Sequence, residues 1–175
     1  MNFGEAIKSV FSKYATFSGR ARRSEFWFFY LFNFLVSLVL GIIPVLSWVS
    51  GLWALAVLIP SLAVTVRRFH DIGKSGWWYL FTLIPGLACA GYMLSIVFKV
   101  ASEAVTSGDM DDIGQIRELL MAHSDSFGTM GILILIAIAF WILWIVWMAR
   151  DSQPGENQWG PNPKEMPSNE PQNLY

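Results

Sequence analysis

Charge is scarce in this sequence. Asp, Glu, Lys and Arg make up only 14% of the residues, against roughly 25% in a soluble domain. A water-facing shell built from so few charges would leave large apolar patches exposed. Cysteine is nearly absent. The lone Cys89 lies within an apolar run, which excludes an intrachain disulfide and a thiolate metal cluster. No pattern of a cleavable leader precedes the first apolar run, so the first long helix is expected to act as its own uncleaved anchor. Net charge is −1, and nothing in that balance suggests a nucleic-acid partner.

The abundant residues are apolar, at 54%, with nine Trp and thirteen Phe. They fall in uninterrupted stretches. From Phe26 to Val66 no charged residue occurs in 41 positions. As one helix this run would measure about 60 Å, about twice the hydrocarbon thickness of a bilayer. It must fold back, with Gly41, Pro44, Ser47, Ser50 and Gly51 as turn candidates. Pro60 is expected to kink the second helix. A second run spans Ser75 to Phe98 and opens on Trp77, Trp78 and Tyr79, as an interfacial aromatic belt would. Pro85 and Gly86 interrupt it. A third run spans Ser126 to Ala149. Six Ile, three Leu, one Phe and one Val in its segment Gly131–Ala149 favour insertion by roughly 3–7 kcal/mol.

The expected fold is all-α, with about four transmembrane helices near 26–43, 47–66, 77–98 and 127–149. The apolar runs do not alternate, which argues against a membrane β-barrel. Residues 1–25 form an amphipathic and basic arm, in which Phe3, Ile7, Val10, Phe11 and Tyr14 share a face. This arm is expected to include an interfacial helix. The membrane domain covers 26–150 and carries an acidic loop at 99–126, where Ile113, Ile116, Leu120 and His123 suggest a short amphipathic helix. The tail, 151–175, reads as irregular.

Lys and Arg set the expected orientation. The arm, the second connection and the tail share a side and hold ten of the twelve basic residues, so that side is read as cytoplasmic. The loop 99–126 has a net charge of −4 and lies outside on this reading.

Three polar segments fall on the basic side: Phe17-Ser18-Gly19-Arg20-Ala21-Arg22-Arg23-Ser24-Glu25-Phe26-Trp27, Arg67-Arg68-Phe69-His70-Asp71-Ile72-Gly73-Lys74-Ser75-Gly76-Trp77-Trp78, and Gly155-Glu156-Asn157-Gln158-Trp159-Gly160-Pro161-Asn162-Pro163. In their order and spacing they resemble the domain-of-unknown-function family 805, small bacterial inner-membrane proteins. The resemblance runs from about residue 10 to 163 and implies a multi-span helical membrane domain without an established activity. It places the chain in a bacterial inner (plasma) membrane.

Arg20, Arg22, Arg23, Arg67, Arg68 and Lys74 are the candidate binders of anionic lipid headgroups or small anions. Glu25, His70, Asp71, Gly73, Gly76 and Trp159 are read as supporting them. Glu25 is expected to pair with Arg20, Arg22 or an arginine of the second segment, docking the arm there. Asp71 is expected to pair with Arg67 or Arg68, to orient His70, or to cap the next helix. Gly73-Lys74-Ser75 lacks the earlier glycine of a phosphate-binding loop, since residue 68 is Arg. No catalytic set, metal site or cofactor is read from the sequence. No ionisable residue lies deep in a span, which argues against proton-coupled transport. The expected function is therefore non-enzymatic binding of anionic lipid or a partner protein at the cytoplasmic face, with a homo-oligomer or a membrane protein as partner. The alternative is a small transporter or channel subunit, suggested by the Pro-interrupted helices and the small residues Gly86, Ala88, Ala90 and Gly91.

Overall fold

The computed structural model describes residues 1–107, 121 and 124–165. Five α-helices are seen among them: α1 (Phe3–Ser12), α2 (Arg23–Ile42), α3 (Ser47–Asp71), α4 (Trp78–Ser107) and α5 (Ser124–Ala149). A 3₁₀ turn at Pro44–Leu46 links α2 to α3. The last four helices are long and apolar enough to cross a membrane. At 1.5 Å per residue, the 20-residue span Arg23–Ile42 reaches about 30 Å. No strand occurs among the described residues, only an isolated bridge between Asn157 and Gly160. The amphipathic helix expected around Ile113–His123 lies outside the described residues.

The four-span reading holds, and the fold-back falls at 43–46 within the expected window. Helix ends differ more. α3 continues to Asp71 instead of stopping near 66, and α4 continues to Ser107 instead of 98. Charged residues marked the expected ends. A helix tolerates charge, however, when partners or water receive it, so loss of hydrophobicity did not end these helices.

The chain divides into two compact units, Met1–Tyr79 with Ile145–Tyr175, and Leu80–Trp144. The described part of the second unit is chiefly α4 from Leu80 and α5 up to Trp144, and the two ends of these helices beyond those residues belong to the first unit. The second unit leaves Leu87, Leu94, Phe98, Ile132, Leu135 and Trp141 largely exposed, a surface that suits lipid better than water.

In the first unit, α1 starts with a capping box. The Asn2 side chain accepts from Glu5 N at 2.8 Å, and Glu5 accepts from Asn2 N at 2.8 Å. Its apolar face packs on α2. Phe3 meets Phe28 edge-on at 5.8 Å, Phe11 meets Phe29 at 5.9 Å, and Ala6 and Val10 are fully buried. Two polar links join α2 to α3. Trp53 Nε1 donates to Asn33 Oδ1 at 2.8 Å. Thr65 donates its hydroxyl to Ser61 O at 2.7 Å, which leaves its oxygen to accept from Tyr30 at 3.0 Å.

Pro60 lies inside α3 and has no N–H to give Ala56 O, four residues back. The Tyr14 hydroxyl, arriving from the arm, donates to that carbonyl. An unsatisfied carbonyl is costly at membrane depth, so Tyr14 repairs what Pro60 breaks. Tyr14→Phe is expected to lower stability by about 1 kcal/mol. A thermal melt of the purified protein would test it, and an unchanged midpoint would refute the repair.

Candidate functional site

The three polar segments meet where α3 ends. Lys74 N donates to Phe69 O at 2.9 Å and Gly73 N donates to His70 O at 3.1 Å. With Gly73 at φ +77° this is a Schellman cap, in which glycine avoids the strain of a left-handed residue. Gly73 is thus first a helix terminator. Gly76 serves a different need, since a Cβ there would stand 2.7 Å from Val66 Cγ1. Gly76→Ala should destabilise by about 1–3 kcal/mol, because the branched Val66 is stiff. Gly73→Ala should cost less, about 1–2 kcal/mol, since the group it meets is the flexible end of Gln153. Paired melts would test that order, and the reverse order would refute it.

The arm crosses this helix end. Ala21 N donates to Arg67 O at 3.0 Å, and Gly19, at φ +82°, presents its carbonyl to His70 Nδ1 at 3.1 Å. A carbonyl only accepts, so Nδ1 carries the proton. The tail comes from another direction. Gln153 N donates to Asp71 O at 2.8 Å, and Asn157 Nδ2 donates to His70 O at 3.0 Å. The Trp159 indole stacks on the His70 ring, 4.5 Å apart and 7° from parallel. The tail is shaped by Gly155 (φ +67°) and by the paired bonds between Asn157 and Gly160. The last carbonyls of α3, at Phe69, His70 and Asp71, therefore all find donors.

At the centre lies Asp71, fully buried. It accepts from Arg20 Nε at 3.1 Å, from Ser152 Oγ at 2.6 Å and from Arg68 Nη1. Arg20 also donates to the carbonyls of Gln153 at 2.5 Å and Gly155 at 2.8 Å, with longer bonds to Gly160 and Asp71. Arg68 reaches the end of α5, donating to Met148 O from Nε at 3.1 Å and Nη2 at 3.0 Å, and to Arg150 O. Cations at this position complement the helix dipole. Each guanidinium nitrogen of Arg20 and Arg68 is thus hydrogen-bonded. Two buried cations share one carboxylate, and carbonyl dipoles take up the remaining charge.

Arg67 points elsewhere. Its Nη1 donates to Glu25 Oε1 at 2.9 Å, and Ser9 Oγ of α1 donates to the same oxygen at 3.2 Å. Arg67 Nε and Nη2 are buried and have no hydrogen-bond partner among the described residues. Leaving a buried charged donor unsatisfied costs more than about 1–3 kcal/mol. Burial lowers the nearby Lys13 ammonium from its ordinary pKa, with Glu25 opposing that shift and Arg67 adding to it.

The six basic candidates therefore do not line one patch. Arg20, Arg67 and Arg68 are buried. Arg22 and Arg23 are half-buried, and Arg23 pairs with Asp151 at 3.2 Å. Lys74 lies between Trp78 and Trp147, 4.7 Å from each ring. Lys164 pairs with Asp151, and its hydrogen bond lowers that carboxyl's pKa. The expected Glu25 pairing is found with Arg67, and Asp71 pairs with Arg68 and Arg20 without touching His70. Sequence reading did not single out Ser9, Ser152, Gln153 or Asn157. Asn157 lies inside a quoted segment. The other three act through contacts that have no local signature. No group of three or more His, Cys, Asp and Glu able to hold a metal is found among the described residues.

A family model described as a protein of unknown function, DUF805, matches residues 14–161. The chain is similar to inner membrane protein YhaI of Escherichia coli (strain K12), at 39% identity over 95 residues, covering 51% of this chain and 78% of the relative. It is also similar to inner membrane protein YhaH of the same strain, at 37% identity over 109 residues, covering 57% and 86%. No solved structure matches.

Proposed function

Because this chain belongs to the DUF805 family, whose matched relatives are inner membrane proteins, we propose that it is a non-enzymatic, multi-pass protein of the bacterial inner membrane that binds anionic lipid at its cytoplasmic face. Its arm, the end of α3 and its tail lie on that face. Uneven charge supports this reading most. Residues 1–79 and 145–175 hold ten basic against seven acidic residues, a net of +3, while residues 80–144 carry −4.

The geometry sorts the basic residues by task. Arg20, Arg67 and Arg68 are paired with Asp71 and Glu25 and hold the fold together. Arg22 is half-buried and Lys8 exposed, and these attract headgroups, while the half-buried Arg23 adds to them beside its exposed pair with Asp151. Each such cation near an anionic leaflet contributes about 1 kcal/mol. The test is lipid retention by native mass spectrometry in mild detergent. Arg22→Gln with Arg23→Gln should lower retained phosphatidylglycerol by up to about 30-fold, and unchanged retention would overturn the reading. Arg20, Arg67 and Arg68 are left untouched in that experiment, and Asp151→Asn, which removes the Arg23 ion pair while keeping the arginine, controls for loss of that contact.

A further inference from the structure

Three arginines are buried in the first unit, and they are not equivalent. Arg20 and Arg68 use every guanidinium nitrogen. Arg67 uses Nη1 alone. Its idle nitrogens, Nε and Nη2, share one edge of the planar group. Their N–H bonds run parallel, at a spacing that suits two oxygens of one oxyanion. Glu25 is already engaged by Nη1 and Ser9, so it does not fill that edge. Lys13 lies close enough to feel both Arg67 and Glu25, which makes the local balance positive.

Position narrows the class of anion. Glu25 is the third residue of α2, and Arg67 is one turn from the end of α3. In a bilayer both belong near the level of the headgroups. We infer that the Nε–Nη2 edge of Arg67 is a binding site for a phosphate oxyanion, taken from a phospholipid headgroup or from free phosphate. The site rests on the orientation and lipid-facing role proposed above, and it makes a separate claim about one residue. The rim cations attract by charge alone, whereas Arg67 binds through two directed hydrogen bonds. Lysine supplies the charge without the paired donors, so Arg67→Lys separates these two roles.

The experiment uses the full chain in nanodiscs made of a phosphate-free galactolipid. The arginine Nε–H signals are followed by ¹⁵N NMR, and the Arg67 signal is identified by its loss in Arg67→Lys. Adding inorganic phosphate tests the soluble source, and exchanging the lipid for phosphatidylglycerol tests the headgroup source. A shift of the Arg67 signal in either arm supports the site and names its source. No shift in both arms overturns it. By native mass spectrometry, Arg67→Lys should retain about tenfold less phosphatidylglycerol than the parent if the headgroup is the source, and equal retention would overturn that assignment. If Arg67→Lys fails to fold, the Arg22→Gln, Arg23→Gln variant decides, because a buried Nε–H signal that still responds there to phosphate but not to chloride cannot come from those rim arginines, and Arg20 and Arg68 have their Nε already bonded. Arg22→Gln with Arg23→Gln should weaken lipid retention and leave the response of Arg67 intact. A response of Arg67 without any effect of those two changes would refute the rim reading and keep this one.

Discussion

Asp71→Ala is expected to lower the thermal midpoint by about 6–20 °C and sharply reduce the yield of folded protein. Asp71 is fully buried and is the only carboxylate paired with Arg20 and Arg68 among the described residues. Breaking a buried pair costs about 3–5 kcal/mol, because the stranded charge loses both partner and water. In a chain of this size each kcal/mol is worth about 2–4 °C. Ser152 also loses its acceptor. Asp71→Asn keeps the shape and one carbonyl acceptor but loses the charge, so it should fall between the alanine variant and the parent. The measurement is tryptophan fluorescence on heating, with elution profile as a check on folding. A midpoint unchanged in Asp71→Ala would show that the buried ion pairs do not hold the helix ends together.

Reversal at Glu25 is the second large effect. Glu25→Arg removes the partner of Arg67 and sets a second cation beside it. Ser9 loses the acceptor that ties α1 to this pair. The expected loss is again about 3–5 kcal/mol, seen as a lower midpoint and faster proteolysis of the arm. The exchange Glu25→Arg with Arg67→Glu restores opposite charges and should recover at least half of the loss. If the single variant behaves like the parent, the arm is held by its aromatic contacts alone. If the exchange recovers nothing, the pair depends on its surroundings and not on the attraction between its members.

The membrane domain was legible because hydrophobicity is a one-dimensional signal. A 41-residue uncharged run cannot be one span, so even the fold-back followed from length alone. Asn33, a polar side chain inside the first span, bonds Trp53 of the second, as a buried amide in a membrane requires. Glu25 was legible as a salt-bridge partner because it is one of few acids among many bases. Helix ends were less legible. Arg67, Arg68 and Asp71 look like loop residues in sequence, yet they form the last turns of α3 because their partners come from elsewhere. The same fact hid their burial, since a cluster of arginines beside a span reads as headgroup-facing. Ser152 and Gln153 could not be read at all. Their roles depend on where the tail lands, and no periodicity encodes that.

The reach of Arg20 has a consequence for how the protein is made. Its partner carbonyl on Gly155 lies 135 residues further along the chain. At about 5–20 residues per second, the ribosome needs roughly 7–27 s to supply it. Once Asp71 has been made, in the later part of that interval, the arm and the end of α3 are both present, while Arg20 lacks the tail acceptors and Arg68 lacks the end of α5. A nascent chain in that state holds Arg20 and Arg68 through Asp71 alone, with their remaining donors left to water. Closure by the tail is therefore the last contact this cluster gains, and a chain cut before Gln153 lacks the carbonyls that Arg20 needs to fill its donors.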